Sequence, residues 1–519
     1  MSETPALSAA QRRNILIAMC TALIAVVASV SGLNVAQREI AESLNASAGD
    51  VLWIINAYTL TLAALLMPIG AVGDRWGRRP VLLSGLAVFF IATLGAALAT
   101  SVGFMIAARA LAGAGAAMVM PVTLSVITTS FPPEERPRAI GIWAGFSGAG
   151  GILGLWMSSI MVDFFAWQLL FILPLVMIFA AGVMAYIAVP NSREHSGRFD
   201  IEGSILSAVA IGGLVFGVHE GPERGWTHAL AMYPILIGVV ALVAFVLWEL
   251  RTDHPLLDVR TFKNRSLAAG TITITLVFAV MFGIFLVLFP FLQTVLGWSA
   301  IRSAFAMMPM ALMIMPMSAN APKVAQRFGR RSTILAGIGI AIVGLATLAL
   351  MASVEGGYLS ILPGLLVLGA GIGLTMTPST EAITATLPDD KQGVASALND
   401  TSRELGGAIG VALLGSFLTS GYVSQVSAFA ATLPGELGRA VGEDYFVALG
   451  AAQGVAKTDP GLAGSIINAA QHAYVQSWAS TMWIGVAVLA VAFVYVAVAG
   501  PRSASEPVVS ALEVDSVVS

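Results

Sequence analysis

The sequence predicts an all-α integral membrane protein of fourteen transmembrane helices, built as two six-helix half-bundles with two extra helices inserted between them. Three observations predict it. Of 519 residues, 57% are hydrophobic and 11% are charged, which is more apolar surface than a soluble core could hide. Apolar stretches of about 20 residues, the length that crosses about 30 Å of hydrocarbon, recur along the whole chain. Finally, Gly70-Ala-Val-Gly-Asp-Arg-Trp-Gly-Arg-Arg79, between the second and third stretches, returns in altered form as Pro322-Lys-Val-Ala-Gln-Arg-Phe-Gly-Arg-Arg331 between the tenth and eleventh.

Six stretches fall at 13–33, 51–72, 81–99, 103–126, 139–161 and 167–189, two at 202–218 and 231–249, and six more at 268–294, 303–322, 332–352, 358–380, 394–419 and 478–499. The first follows Arg12 and Arg13, but it is long for a cleavable signal segment and leads directly into another span. Lysines and arginines test the layout, because cytoplasmic loops are enriched in them. With the amino terminus inside, the inner side carries Arg12, Arg13, Arg75, Arg78, Arg79, Arg136, Arg138, Arg193, Arg198, Arg251, Arg260, Lys263, Arg265, Lys323, Arg327, Arg330, Arg331, Lys391 and Arg502. The outer side carries Arg38, Arg224, Arg302, Arg439 and Lys457, so both ends are expected in the cytoplasm of a multi-pass cell-membrane protein. The expected division is a half-bundle over 1–190, the inserted pair over 191–266, and a second half-bundle over 267–500. Short surface helices are expected in the outside loop at 420–477, and 501–519 reads as a disordered cytoplasmic tail.

Several function classes are excluded by composition and spacing. A net charge of -3 with no basic tail argues against nucleic acid. Cys20 is the single cysteine, so no intramolecular disulfide or cysteine metal cluster can form. None of the four lysines follows a glycine, which leaves no phosphate-cradling loop for ATP. The histidines His195, His219, His228, His254 and His472 are scattered without metal-ligand spacing and read as solvated loop residues. No enzyme, metal or organic cofactor is expected.

What chemistry remains lies in and between the spans. Duplicated bundles facing each other are how secondary transporters expose a mid-membrane site to alternate sides. In the repeated loop, Gly70, Gly73 and Gly77 permit close helix contact, while Asp74 can sit at a helix N-terminus and pair with Arg75, Arg78 or Arg79. Those parts would make a conformational latch, although loop arginines also simply set topology. Asp400 and Glu404, at i and i+4 in the thirteenth stretch with Arg403 beside them, put two carboxyls on one helical face in apolar surroundings. Such acids can bind and release protons; a structural Asp400 to Arg403 pair is the alternative. Glu381 is a third acidic candidate, and Arg109 must keep a partner or reach water, to hold substrate, tune an acid or form a structural pair. Gly145, Gly150, Gly154 and Ser158 permit close helix packing in the fifth stretch. Trp53, Tyr58, Trp143 and Trp156 suit either an aromatic pocket or anchoring at the membrane interface.

These residues resemble the major facilitator superfamily, and within it the fourteen-span drug:proton antiporter branch. Gly70, Gly73, Asp74, Arg75, Gly77, Arg78 and Arg79 match its loop motif, and Trp53-Ile-Ile-Asn-Ala-Tyr58 is similar to the segment preceding it. Arg109, Gly113 and Gly115 match the span 4 motif that the family links to proton coupling, with Ala112 where glutamine is usual. The span 5 antiporter motif is altered, carrying Leu155 in the proline position and Ser158 and Ser159 for a glycine pair. Gln293 to Gly297 and Gly393 to Gly410 are also similar to this branch. Counting back from Asn34-Val-Ala36, however, the branch's span 1 aspartate falls on Ser29, leaving Asp400, Glu404 and Glu381 as coupling candidates and weakening the analogy with dicationic-drug exporters. The resemblance implies efflux of hydrophobic, cationic small molecules in exchange for protons, by a monomer whose partners are its substrates, protons and the bilayer, with the proton gradient as energy source and no cofactor. A dedicated exporter of one metabolite or lipid is the alternative, and a non-transporting membrane sensor or scaffold the more remote one.

Overall fold

The computed structural model describes residues 7–33, 36–192 and 199–500. Asn34 and Val35, the segment with Arg193, His195 and Arg198, and the expected tail at 501–519 with Arg502 lie outside the described residues. Among those described there is no strand. The first half contains α1 (Ala9–Leu33), α2 (Gln37–Leu44), α3 (Ala48–Trp76), α4 (Arg78–Ala97), α5 (Val102–Ser130), α6 (Arg136–Phe164) and α7 (Ile172–Ala188). Next come α8 (Ile201–Arg224) and α9 (Ala229–Glu249), the inserted pair. The second half contains α10 (Arg265–Pro290), α11 (Ala300–Phe328), α12 (Arg330–Met351), α13 (Leu362–Thr384), α14 (Gln392–Ala430), α15 (Gly435–Glu443), α16 (Tyr445–Val455) and α17 (Pro460–Ala499). All but α2, α15 and α16 are long and apolar enough to cross a membrane, giving fourteen spans. α1 is an integral core element, with Ile15, Ala18 and Met19 fully buried.

The repeated loop is a repeated structure. Gly77 separates α3 from α4 at φ 106°, and Gly329 separates α11 from α12 at φ 86°, a backbone region that glycine enters without Cβ strain. The last arginine of each copy then reaches the last helix of its own half. Arg79 donates to the Tyr186 carbonyl near the end of α7 at 2.6 Å, and Arg331 donates to the Ala497 carbonyl near the end of α17. Both guanidiniums thereby satisfy carbonyls that a helix C-terminus leaves without intrahelical partners.

The two halves meet through α6 against α11 and α13, and through α14 against α3 and α5, while α8 touches both α3 and α14. Small residues set these distances. Within the second half, Gly410 of α14 lies so close to α10 that a Cβ there would collide with the Ala279 carbonyl. Gly410→Ala is accordingly expected to destabilise the detergent-solubilised protein by about 1–3 kcal/mol, the usual cost of overpacking, read as an earlier thermal transition.

The region expected as an outside loop is only partly one. α14 continues eleven residues beyond its expected end at 419, to Ala430, and α17 begins at Pro460, well ahead of the expected 478. Only α15 and α16 are the short helices anticipated. Their reason for forming is a tyrosine cluster that buries the helix extensions against them. Tyr445 stacks on Tyr474 at 4.3 Å and meets Tyr422 edge-on at 5.8 Å, and the Tyr422 hydroxyl donates to the Val441 carbonyl at 3.0 Å.

Candidate functional site

The first site lies on the arginine-rich face, where Asp74 closes the two halves on each other. Asp74 is buried at the end of α3, and both of its carboxylate oxygens accept from the Gly393 N–H at 2.8 Å; Oδ2 also accepts from the Val394 N–H at 3.2 Å. These are amides from the first turn of α14, so a carboxylate of one half caps a helix of the other. Arg78, also buried, donates to Asp74 at 2.9 Å and to the Asp389 carbonyl at 3.3 Å. Gly70 sits where a Cβ would come within 2.6 Å of the Gly393 carbonyl and of Ala397, which explains the need for a small residue. Gly73 similarly faces Val122 of α5, while Arg75 lines a pocket of about 340 Å³ beside Asp74. Arg136, opening α6, reaches Asp389 at 3.8 Å and adds a second tie between halves.

The worn copy makes a different contact. Gln326 stands where Asp74 stands in the first copy, and Arg330, the counterpart of Arg78, approaches Glu381 at 3.9 Å. Glu381 is buried at the end of α13, with Oε1 lacking a hydrogen-bond partner among the described residues. It belongs to the arginine-rich face and is separate from the α14 pair.

Asp400 is 0% exposed, deep in α14. It accepts from Arg403 at 3.3 Å, the i, i+3 pair, and from the Asn399 amide at 3.3 Å; Asn399 in turn accepts from Thr380 of α13 at 3.1 Å. One carboxylate oxygen, Oδ2, has no hydrogen-bond partner among the described residues. Arg403 is held between Phe278 of its own half, at 4.5 Å, and Trp143 of the other, at 5.5 Å. Trp143 is fixed by its indole N–H, which donates to Thr123 at 3.0 Å. Glu404 retains some accessible surface although it lies deep inside the protein, next to Arg403 and Asp400 and within electrostatic reach of Tyr58 in α3. The two acids thus face the interior.

Arg109, at 1% exposure, does not find an acid among the described residues. Its guanidinium lies 4.4 Å from the Tyr58 ring and donates long bonds to the Ser29 hydroxyl at 3.3 Å and the Ser29 carbonyl at 3.4 Å, leaving Nε without a partner. Ser29, the position where the branch carries aspartate, is the residue that Arg109 meets. Tyr58 donates to the Val26 carbonyl at 3.1 Å, which holds its ring under the Arg109 guanidinium and within electrostatic reach of Glu404. Two guanidiniums and two carboxyls, formally neutral when all are ionised, therefore share one buried region across the halves. Adding a proton to either acid leaves that region with uncompensated positive charge.

α6 carries two small-residue stripes rather than one. Gly145, with Gly141 and Gly148, faces Met315, Ser318, Ile314 and Met376 of the opposite half. Gly150 and Gly154 instead face Val27 and Ala28 of α1, and Ser158 lies against Gly32. Gly145 thus belongs to the interface between halves, whereas the other three hold α1 in place. Where the stripes meet the second half, Ser318 donates to the Gly141 carbonyl at 3.0 Å and lies 2.8 Å from the Thr377 hydroxyl. Of the aromatic candidates, Tyr58 and Trp143 join the buried cluster, while Trp53 packs on Phe216 of α8 and Trp156 on Phe305 of α11.

Sequence reasoning passed over Asp389, Arg136, Lys391 and Asn399. The only signal for them was position: Asp389, Arg136 and Lys391 lie at or just ahead of a helix start on the face that carries the repeat, and Asn399 lies next to an acid deep in α14. Among the described residues no group of three histidine, cysteine or carboxylate side chains is placed to hold a metal ion.

Residues 17–411 match the model of the Major Facilitator Superfamily. The chain is 32% identical over 466 residues to the multidrug efflux pump LfrA of Mycolicibacterium smegmatis, covering 89% of this chain and 91% of that one. It is 33% identical over 416 residues to the cephamycin export protein CmcT of Amycolatopsis lactamdurans, covering 78% and 85%. In three dimensions it is similar to a bacterial homologue of the lysosomal transporter Spinster, in an inward-facing state, with a TM-score of 0.62 at 17% identity over 96% of this chain and 100% of that one. With its fourteen spans, its repeated glycine-broken loop and relatives named as multidrug and antibiotic efflux proteins, which are consistent with the fourteen-helix drug:proton antiporter branch, the chain belongs to the major facilitator superfamily of transporters.

Proposed function

We propose that this transporter exports hydrophobic, cationic small molecules across the cytoplasmic membrane in exchange for protons, by alternating access. The observation that carries the reading is the buried cluster of Asp400, Arg403 and Glu404 facing Tyr58 and Arg109 across the halves. A proton and a cationic substrate compete there for the same carboxylates, because protonation leaves the region positively charged, which is the requirement for exchange rather than co-transport. In the outward-facing form a proton loads onto the α14 acids as substrate leaves; facing the cytoplasm, its loss restores the carboxylates and favours rebinding. The arginine-rich face is cytoplasmic, both termini are on that side, and the Asp74 latch closes it in the conformation described here. The protein needs no cofactor, catalyses no bond-making step, and works as a monomer. Multidrug relatives such as LfrA support broad specificity.

Substrate added to energised inside-out vesicles is expected to cause proton release, and Asp400→Asn and Glu404→Gln each to diminish it while counterflow of substrate persists. Unchanged coupled transport in both variants would remove these acids as carriers. A second reading is favoured by relatives named for one compound, among them CmcT and the tetracenomycin C resistance and export protein. Under it the same machinery exports a single metabolite, and resistance profiling against a broad panel separates the two.

A further inference from the structure

The inserted helices hold an acidic pair that the transport cycle above does not use. Asp200 caps the N-terminus of α8, and Glu249 is the last residue of α9. Asp200 is already rich in donors: the Gly203 N–H at 2.8 Å, the Trp248 indole N–H at 3.0 Å and the Leu256 N–H at 3.3 Å all point at its carboxylate. Glu249, at 0% exposure, receives one, from the Leu257 N–H to Oε2 at 3.3 Å, and its Oε1 has no donor among the described residues. That orphan oxygen lies beside Asp200, for a Cβ built on Gly203 would lie 2.5 Å from both Glu249 Oε1 and Asp200 Oδ2, so the two carboxyls crowd one buried spot. Two carboxylates can hydrogen-bond to each other only if a proton lies between them.

We propose that Asp200 and Glu249 form a second proton-binding site, outside the transport pathway, which ties the inserted pair to the cytoplasmic latch. Glu249 carries the proton and donates it in a hydrogen bond to the ionised Asp200. Together the acids clamp Leu256 and Leu257 by their amides, and the neighbouring Pro255 carbonyl accepts from Lys391 at 2.8 Å. Lys391 belongs to the turn whose Asp389 is held by Arg136 through its carboxylate and by Arg78 through its carbonyl. A continuous set of contacts therefore runs from the proton, through residues 255–257, to the Asp74 latch. Loss of the proton places two negative charges in one buried site and expels the clamped segment; the tie holds when the cytoplasmic side is acidic and loosens as it becomes alkaline.

Among the described residues, the charged groups around the pair are few enough to test individually. Asp200 lines the 340 Å³ pocket with Asp74, Arg75 of α3, Asp253 and His254 of the clamped segment, and Asp390 and Lys391 ahead of α14; Lys391 also acts on Glu249 through space. His254 is the competing titratable group, and His254→Gln is its control.

The experiment is hydrogen exchange of the full-length protein in liposomes. Exchange is followed for residues 253–258 and for Gly393 and Val394, corrected for intrinsic rates, as the cytoplasmic face is taken from mildly acidic to mildly alkaline. Wild type is expected to lose protection about tenfold or more in both segments. Glu249→Gln, which keeps the neutral hydrogen-bonding shape, should stay protected throughout, and should lack one protonated-carboxyl infrared band present in wild type at neutral pH. His254→Gln should follow wild type. The Asp400→Asn, Glu404→Gln double variant should also follow wild type, so failure of the proposed antiport mechanism is distinguishable from failure of this site. A flat wild-type profile, an unaltered transition in Glu249→Gln, a transition abolished by His254→Gln, or an unchanged infrared spectrum overturns the proposal.

Discussion

Asp74→Ala should lower substrate efflux by about a hundredfold or more in cells that express the protein at wild-type levels. Removing one partner of a buried ion pair costs about 3–5 kcal/mol, because the other charge stays buried and uncompensated. Here Arg78 would be that charge, and the first amides of α14, at Gly393 and Val394, would lose their acceptor as well. Under the proposed alternating access the loss falls on the form in which this face is closed, because the contact crosses between halves that would separate when it opens. An equilibrium displaced this far leaves the transporter open to one side and unable to complete its cycle. Asp74→Asn retains an acceptor for the amides but not the charge, and should fall between alanine and wild type. Cysteine accessibility on the cytoplasmic face, combined with dye efflux, measures both quantities; an efflux-competent Asp74→Ala with unchanged accessibility removes the latch from the mechanism.

The second large effect is expected from Arg403→Met. Methionine fills the space between Phe278 and Trp143 but leaves Asp400 without a cation in a site of no solvent exposure. Stability should drop by about 3–5 kcal/mol if the carboxylate stays ionised, and substrate-dependent proton exchange should be lost. Combining Arg403→Met with Asp400→Asn removes both charges, so most of the stability should return while exchange remains absent. Thermal unfolding of the purified variants and proton exchange in liposomes make the two readouts. If the double variant were as unstable as the single one, the pair would be contributing shape rather than charge compensation.

Much of this architecture was legible in the residues. Hydrocarbon thickness dictates span length, so the apolar stretches located fourteen helices, and the Gly77 and Gly329 breaks fall inside the repeated decapeptides that announced them. The ends of α14 and α17 were not legible, because outside the hydrocarbon a helix persists only if something buries its side, and Tyr422 of α14 and Tyr474 of α17 are buried only when Tyr445 of α16 and the Val441 carbonyl of α15 pack against them. Spacing marked Gly145, Gly150, Gly154 and Ser158 as one packing feature, yet helical spacing cannot say which neighbour each stripe meets. Similarly, Arg109 needed a partner on any reading, but Ser29 and the Tyr58 ring became its partners only when α1, α3 and α5 were brought together.

By itself the sequence determined that this chain lives in a membrane, that it is duplicated, and that Arg109, Asp400, Arg403 and Glu404 are charges set within apolar stretches. These follow from composition, hydrophobic length and the expense of charge in hydrocarbon, which are local properties of the chain. Tertiary structure alone decided that Asp74 caps a helix 319 positions away, that Glu404 faces Tyr58, and that Asp200 meets Glu249. Those pairings depend on which helix faces pack together, and charge complementarity at a few ångströms is not encoded in the order of residues along any one helix.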